Sequence, residues 1–276
     1  MKNIILCFGL LLCLAGVTAR NRKTVPVILT AGQSNADGRV PMDDFPSYIA
    51  YNYCQWSYGS GDFVRADGSF SPFRPTVGRP DIAPRWGFDA IVYYMLEQQW
   101  HCPFYVIKQT MGGTAIDTLC SGSTHGYYWS TQVREEKSLL KAFTSQIDKC
   151  LDNLPENYEI KFLLWHQGES DKQCADHYYD NLRAVIAYLR QYLVERTGRK
   201  RYAHLPVVCG TFARNSRQGC KTVVDALYRM EREEKHFHVV DASDLSLQQD
   251  YLHFDAQGAQ TLAERVVSKL KQIKGI

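Results

Sequence analysis

What this chain lacks narrows its function before any motif is read. Its 276 residues contain no CxxC pair, no GxGxxG or Walker pattern, no internal repeat and no Pro/Gly/Ser-rich linker. With no CxxC pair and no cluster of His, Cys and carboxylates at metal-ligand spacing, a zinc site is disfavoured and no metal is expected. With no glycine-rich phosphate loop at the first strand-to-helix turn, a nucleotide-binding module is disfavoured, and no cofactor is expected. The absence of repeats and linkers argues for one domain, and a chain of this length can bury one substantial core. A strong charge of one sign is missing too. The formal balance is only +3 with basic residues scattered, so no nucleic-acid partner is implied. The run Arg196 to Arg201 reads as a solvated helix end and loop.

Long apolar runs are confined to the N-terminus. Lys2 is followed by an apolar run from Ile4 to Leu14 and then by Val17-Thr18-Ala19, the pattern of a secretory signal peptide over residues 1–19 with cleavage after Ala19. The run is shorter than the roughly 20 residues that span a bilayer. The expectation is therefore an exported chain, residues 20–276, periplasmic or extracellular and without a membrane anchor. Of nine cysteines, Cys7 and Cys13 leave with the signal peptide, and the odd number remaining leaves at least one thiol unpaired. One or two disulfides stay open in an exported protein, and Cys209, within an apolar run, reads as a small core residue.

Short apolar runs alternate with helical patterns, the signature of βαβ units and a parallel sheet. Strands are expected near Val25–Leu29, Phe104–Lys108, Ile160–Trp165, Pro206–Cys209 and His238–Val240. Leu182, Val185, Ile186, Leu189 and Leu193 mark a helix over 178–197 that ends at Gly198, a natural C-terminal cap. A last helix carries Ala259, Leu262, Ala263, Val266, Leu270 and Ile273 on one face, with Asp255 placed to cap it. Further helices are expected over 86–99, 138–151 and 221–235. Between Ala36 and Pro84 no periodicity is visible. Tyr48, Tyr51, Tyr53, Trp56, Tyr58 and Phe63 there read as anchors of a long irregular insertion. Leu119 to Ser130, with Tyr127, Tyr128 and Trp129, reads as a second wall.

Four segments close or follow these apolar runs. They are Gly32-Gln33-Ser34-Asn35, Met111 to Asp117 with Gly112-Gly113-Thr114, Gln167-Gly168-Glu169, and Asp250-Tyr251-Leu252-His253-Phe254-Asp255. Ser34 sits where a buried strand would deliver a nucleophile, beyond the carboxyl end of a parallel strand. In this order the blocks resemble those of the SGNH-type hydrolases, and among them the sialate O-acetylesterase and acetyl-xylan esterase group of carbohydrate esterases. The resemblance covers roughly residues 25 to 270. One departure is Ala36, where the group often has Met.

The resemblance implies a three-layer α/β/α sandwich around a five-stranded parallel, flavodoxin-like sheet, and a metal-independent serine esterase acting on acetylated carbohydrate. A serine hydroxyl needs a base and a group that orients the base. Ser34 is then the nucleophile and His253 the base, since Asp250 lies three residues before it and no other histidine has a carboxylate at a telling spacing. Asp250 is the favoured orienting acid, with Glu169 of the QGE block as the alternative. The expected oxyanion donors are the Ser34 N–H, the Gly113 N–H (or that of Gly112) and the Gln167 side-chain amide. Gly112, Thr114 and Asn35 are expected around the substrate. Asp171 and Asp255 read as loop and capping residues. Arginines 39, 65, 74, 79 and 85 of the insertion could grip a sugar carboxylate or pair within the loop. A rival reading is a glycan-binding protein that kept the fold without turnover.

Overall fold

The computed structural model describes residues 24–61, 64–75 and 83–276. The expected signal peptide lies outside these residues, as do Phe63 and Arg79. In chain order the elements are β1 (Val25–Gly32), α1 (Ser34–Asp37), β2 (Val40–Pro41), β3 (Cys54–Gly59), β4 (Ser71–Pro72), β5 (Arg85–Trp86) and α2 (Phe88–Trp100). They continue with β6 (Phe104–Thr110), α3 (Leu139–Leu151), β7 (Tyr158–His166), α4 (Tyr178–Thr197), β8 (Val207–Gly210), α5 (Lys221–Glu233), β9 (Phe237–Val240) and α6 (Ala256–Leu270).

The main sheet runs β4-β3-β6-β1-β7-β8-β9 and is parallel except for the β3–β4 pair. The five expected strands occupy the order β6-β1-β7-β8-β9, the flavodoxin-like winding. Among the described residues the count of five is corrected to seven, because β3 and β4 extend the β6 edge from within the stretch expected to be irregular. Their sequence hides them. β3 reads Cys-Gln-Trp-Ser-Tyr-Gly, is only half-buried, and carries Trp56 and Tyr58 two residues apart on one face, where their rings stack at 5.2 Å.

Side chains of β1 alternate between two cores, as the period of a strand requires. Val27, Leu29 and Ala31 join Phe143, Leu182 and Leu227 on the face covered by α3, α4 and α5. Ile28 joins Phe88, Val92, Leu262 and Val266 on the face covered by α2 and α6. Each fully buried Val, Leu, Ile or Phe side chain among them is worth about 1.5–3 kcal/mol of transfer from water. Every residue from Pro26 to Gly32 is buried, so this central strand is a rigid platform.

The helices end where their residues dictate. Gly198 closes α4 at φ 67°, and Asp255 caps α6 by accepting the Gly258 N–H at 2.8 Å. Ser138 does the same for α3 through the Lys141 N–H at 3.2 Å. Arg196 pairs with Asp148 and Asp152, while Arg199 donates to the Tyr158 carbonyl at 2.6 Å, so this basic run is tied to the body. No helix among the described residues is long and apolar enough to cross a membrane.

The insertion's rings pack inward. The Tyr51 hydroxyl donates to the Ala90 carbonyl at 2.8 Å and its ring meets Phe73 edge-on. Tyr58 donates to Asp37, and Tyr48 remains 64 % exposed. In the second wall Trp129 is fully buried against Trp165.

Candidate active site

All four sequence blocks meet beyond the carboxyl ends of β1, β6 and β7. At the end of β1 the chain must turn under the β7 backbone, and Gly32 does so at φ 147°. A Cβ there would lie 2.1 Å from the His166 carbonyl oxygen, so no side chain fits. The Gln33 N–H donates to that same carbonyl at 2.9 Å, and the Met111 N–H donates to the Gly32 carbonyl at 3.1 Å. The turn bearing Ser34 is thus stitched to both neighbouring strands. Ser34 opens the short helix α1 and is 5 % exposed.

His253 and Asp250 sit in a tight loop before α6. Tyr251 takes a left-handed φ of 52°, which lets the Leu252 and His253 N–H groups converge on Asp250 Oδ1 at 2.9 and 3.0 Å. Asp250 Oδ2 stands 2.6 Å from His253 Nδ1. That nitrogen is therefore the protonated one, and Nε2 is left as the basic ring position. Burial raises the Asp250 carboxyl, but the two backbone donors and the imidazole outweigh it and hold it below the ordinary carboxylate value. Burial lowers His253 more than Asp250 raises it, so the imidazole is neutral at neutral pH. A neutral imidazole with a fixed tautomer is the state a general base requires.

Asn35 ties this loop to the serine. Its Nδ2 donates to Glu169 Oε1 at 3.0 Å and to the Leu252 carbonyl at 3.4 Å, while its Oδ1 accepts the Phe254 N–H at 3.2 Å. The residue after Ser34 thereby grips both residues that flank His253. With both ends of its amide engaged, Asn35 is a clamp and not a substrate contact, which corrects that expectation. Glu169 is placed beside Asn35 and 3.6 Å from His166 Nε2, not on His253. Burial raises the Glu169 carboxyl, yet His166 and the Asn35 amide hold it below its usual value. Among the described residues the imidazole partner is Asp250.

Two further expectations are corrected. Gln167 is fully buried, and its amide hydrogens go to Asp171 Oδ2 at 2.5 Å and the Thr114 carbonyl at 3.0 Å, with Gln33 Oε1 at 3.4 Å. It has no hydrogen left for an oxyanion. Thr114 is also fully buried, with its hydroxyl donated to the Met111 carbonyl at 2.7 Å, so it cannot reach a substrate. Gln167 serves a buried hub, Asp171, which also accepts the Ile116 and Asp117 N–H groups at 3.0 and 2.9 Å. Burial pushes the Asp171 carboxyl up to about 6 despite those donors.

The hub fixes the glycine turn, and the glycines meet Ser34. A Cβ on Gly112 would lie 3.3 Å from Ser34 Cβ, so the turn runs directly beside Ser34. Thr124 holds the Gly113 carbonyl through its N–H at 2.8 Å and its hydroxyl at 3.0 Å. Among the described residues no acceptor takes the Ser34, Gly112 or Gly113 N–H. Unpaired backbone donors beside Ser34 are the groups an oxyanion hole would need.

Sequence reasoning missed two contributors, Asp171 as the hub and Asp37, while Arg39, one of the insertion's arginines, pairs with Asp37. Asp37 accepts from Tyr58 at 2.7 Å, Thr110 at 2.6 Å and Arg39 Nη1 at 2.6 Å. The GQSN-to-Arg39 spacing was a usable signal, since a short helix after the serine returns the next residues to its own turn. His177, placed at a helix start, pairs with Asp117 at 2.8 Å. Among the described residues no three His, Cys, Asp or Glu side chains are arranged to hold a metal ion.

The family described as carbohydrate esterase, sialic acid-specific acetylesterase matches residues 24–272. The chain belongs to that family. It is accordingly a hydrolase of carboxylic ester bonds, with acetylated carbohydrate as the family's substrate class. A search of curated protein sequences finds no match. Among solved structures, a protein from Arabidopsis thaliana is 21 % identical over 90 % of this chain and 99 % of its own, with a TM-score of 0.64. NanS is 14 % identical over 90 % of this chain and 97 % of its own, with a TM-score of 0.66. A carbohydrate acetylesterase from Xanthomonas citri is 12 % identical over 90 % of this chain and 56 % of its own, with a TM-score of 0.53. At these identities the likeness is one of fold.

Proposed function

We propose that this esterase removes O-acetyl groups from carbohydrate hydroxyls, with sialic acid among its substrates, through an acetyl-Ser34 intermediate. The observation that carries the reading is the Asp250–His253 pair at 2.6 Å, held by Asn35 next to Ser34. Ser34 Oγ attacks the acetyl carbonyl carbon while His253 Nε2 takes its proton, and Asp250 stabilises the imidazolium that forms. Negative charge on the carbonyl oxygen meets the Ser34 N–H and a glycine N–H of the 112–113 turn. The imidazolium then protonates the departing sugar oxygen, and water, deprotonated by the same imidazole, releases acetate and restores Ser34.

Asp250 is the acid of this proposal, and Glu169 positions Asn35 from below. The non-catalytic alternative has less support, since a binding protein has no use for an oriented base beside unpaired backbone donors. We place the enzyme outside the cytoplasm on the strength of its N-terminal signal pattern. The test is to mix the purified chain with an aryl acetate, quench during turnover and map the peptide that gains one acetyl group. Label on Ser34, together with acetate release from O-acetylated sialic acid, is the expected result. Burst-free turnover without label on Ser34 would overturn the acyl-enzyme.

A further inference from the structure

We propose that Arg39 is the residue that selects acetylated sugars bearing a carboxylate, by gripping that carboxylate beside Ser34; this rests on the esterase reading above. The point where a Gly112 Cβ would sit is 2.3 Å from Arg39 Nη2 and 3.3 Å from Ser34 Cβ, so the guanidinium ends next to the nucleophile. Its aim is fixed from behind. Nη1 donates to Asp37 Oδ2 and to the Gly38 carbonyl, both at 2.6 Å, which uses both of its hydrogens. Asp37 is itself immobilised by Tyr58 and Thr110, and Lys108 donates to the Asp37 carbonyl at 3.0 Å. Gln248 holds the Arg39 carbonyl at 3.0 Å.

The opposite edge of the guanidinium is free. Among the described residues nothing accepts from Nε or Nη2, and the side chain keeps 20 % of its surface open. Those two nitrogens offer parallel N–H bonds, the fork that matches a carboxylate in bidentate fashion. The side of the serine also matters. His253 hands its proton to the leaving sugar oxygen, so the sugar lies along the imidazole. Asn35, next to Ser34, bonds the residues on both sides of His253, so the Arg39 guanidinium and the imidazole both stand against the Ser34 turn. An anion seated there would also remove the unfavourable pairing of Arg39 with the imidazolium formed during catalysis.

Sialic acids and uronic acids both supply such a carboxylate, and paired substrates separate them from neutral sugars. We would measure kcat/KM for O-acetylated N-acetylneuraminic acid against its methyl ester, and for an O-acetylated galacturonic acid against its methyl ester. In the wild type the free acid should exceed the ester in at least one pair, which identifies the sugar. Arg39→Gln should reduce that acid-to-ester ratio by about 10- to 100-fold, mainly through KM, as expected for a charged hydrogen-bonded contact. Arg39→Lys keeps a charge near Asp37 but loses the fork, so it should reduce the ratio less, and it serves if the glutamine variant fails to fold. An acid-to-ester ratio near one in the wild type for both sugars, or a ratio unchanged in both variants, would overturn the assignment while leaving the esterase intact. Hydrolysis of none of the four compounds, nor of an aryl acetate, would instead remove the esterase reading and this one with it.

Discussion

Replacing Asp250 by Asn separates the two carboxylates that compete for the acid role. The Leu252 and His253 N–H groups both point at Oδ1, so the Asn carbonyl oxygen must stay there and its NH2 must take the place of Oδ2. A donor would then face His253 Nδ1 where an acceptor stood at 2.6 Å. The ring answers by moving its proton to Nε2, the atom that must accept from Ser34. In Ser-His-Asp hydrolases a tautomer error of this kind costs about 10⁴ in kcat, or about 5.5 kcal/mol of transition-state stabilisation. Glu169→Gln behaves differently, since its remaining carbonyl oxygen can still accept from Asn35. It loses charge opposite His166, with an expected cost of roughly 1–3 kcal/mol in stability and a kcat within about tenfold of wild type. Steady-state hydrolysis of an aryl acetate by both variants, with near-ultraviolet circular dichroism to establish folding, decides between them. If folded Glu169→Gln loses more turnover than folded Asp250→Asn, the assignment of Asp250 is wrong.

The remaining predictions are briefer. Ser34→Ala should abolish turnover while leaving Tm within a few degrees, because it removes one oxygen at the end of a buried strand; residual activity above about a tenth of wild type would dismiss Ser34. The acid limb of the kcat/KM profile should fall below the ordinary imidazole value of about 6.5, since burial lowers His253 and only the neutral form acts as base. EDTA should not inhibit, because a serine–histidine mechanism needs no Lewis acid; loss of activity restored by a divalent metal would contradict this. Acetyl esters should be favoured over octanoyl esters, since Gly112 lies directly beside Ser34. The insertion's part in sugar binding is best tested by Tyr48→Ala, which should raise KM for acetylated glycan more than for aryl acetate, because excising the whole loop would delete β3.

The chemistry and the main winding were legible because each was carried by a local pattern. Five apolar runs specified β1 and β6 to β9, and the order of the four blocks placed Ser34 before His253. Those signals belong to single segments, and a single segment is all that periodicity can read. β3 escaped because its alternation is aromatic and polar, one strand in from the sheet edge, instead of apolar at the centre. What β3 contributes is nonetheless specific to the site. Tyr58 leaves it to reach Asp37, and Asp37 aims Arg39, so a strand hidden in an apparent loop orients a cation beside Ser34.

Gln167 shows why the type of a residue at a motif position does not by itself fix its role. As an amide in the QGE block it has the donors an oxyanion hole needs, and nothing in the sequence says where they point. Asp171, four residues later, decides it. A carboxylate with no exposed surface needs donors for its lone pairs, and removing one leaves a cost of about 1–3 kcal/mol or more for a charged group. The nearby donors are the Ile116 and Asp117 N–H groups and the Gln167 amide, so the hub draws all three inward and the glycine turn is fixed as a consequence. In the proposed mechanism Gln167 thus acts on the oxyanion through the backbone it anchors. Gln167→Ala should therefore weaken catalysis by loosening the 112–117 turn, with a lowered Tm alongside the lowered kcat. A variant that lost kcat at unchanged Tm and unchanged hydrogen-exchange protection of Ile116 and Asp117 would show instead that the amide meets the substrate directly.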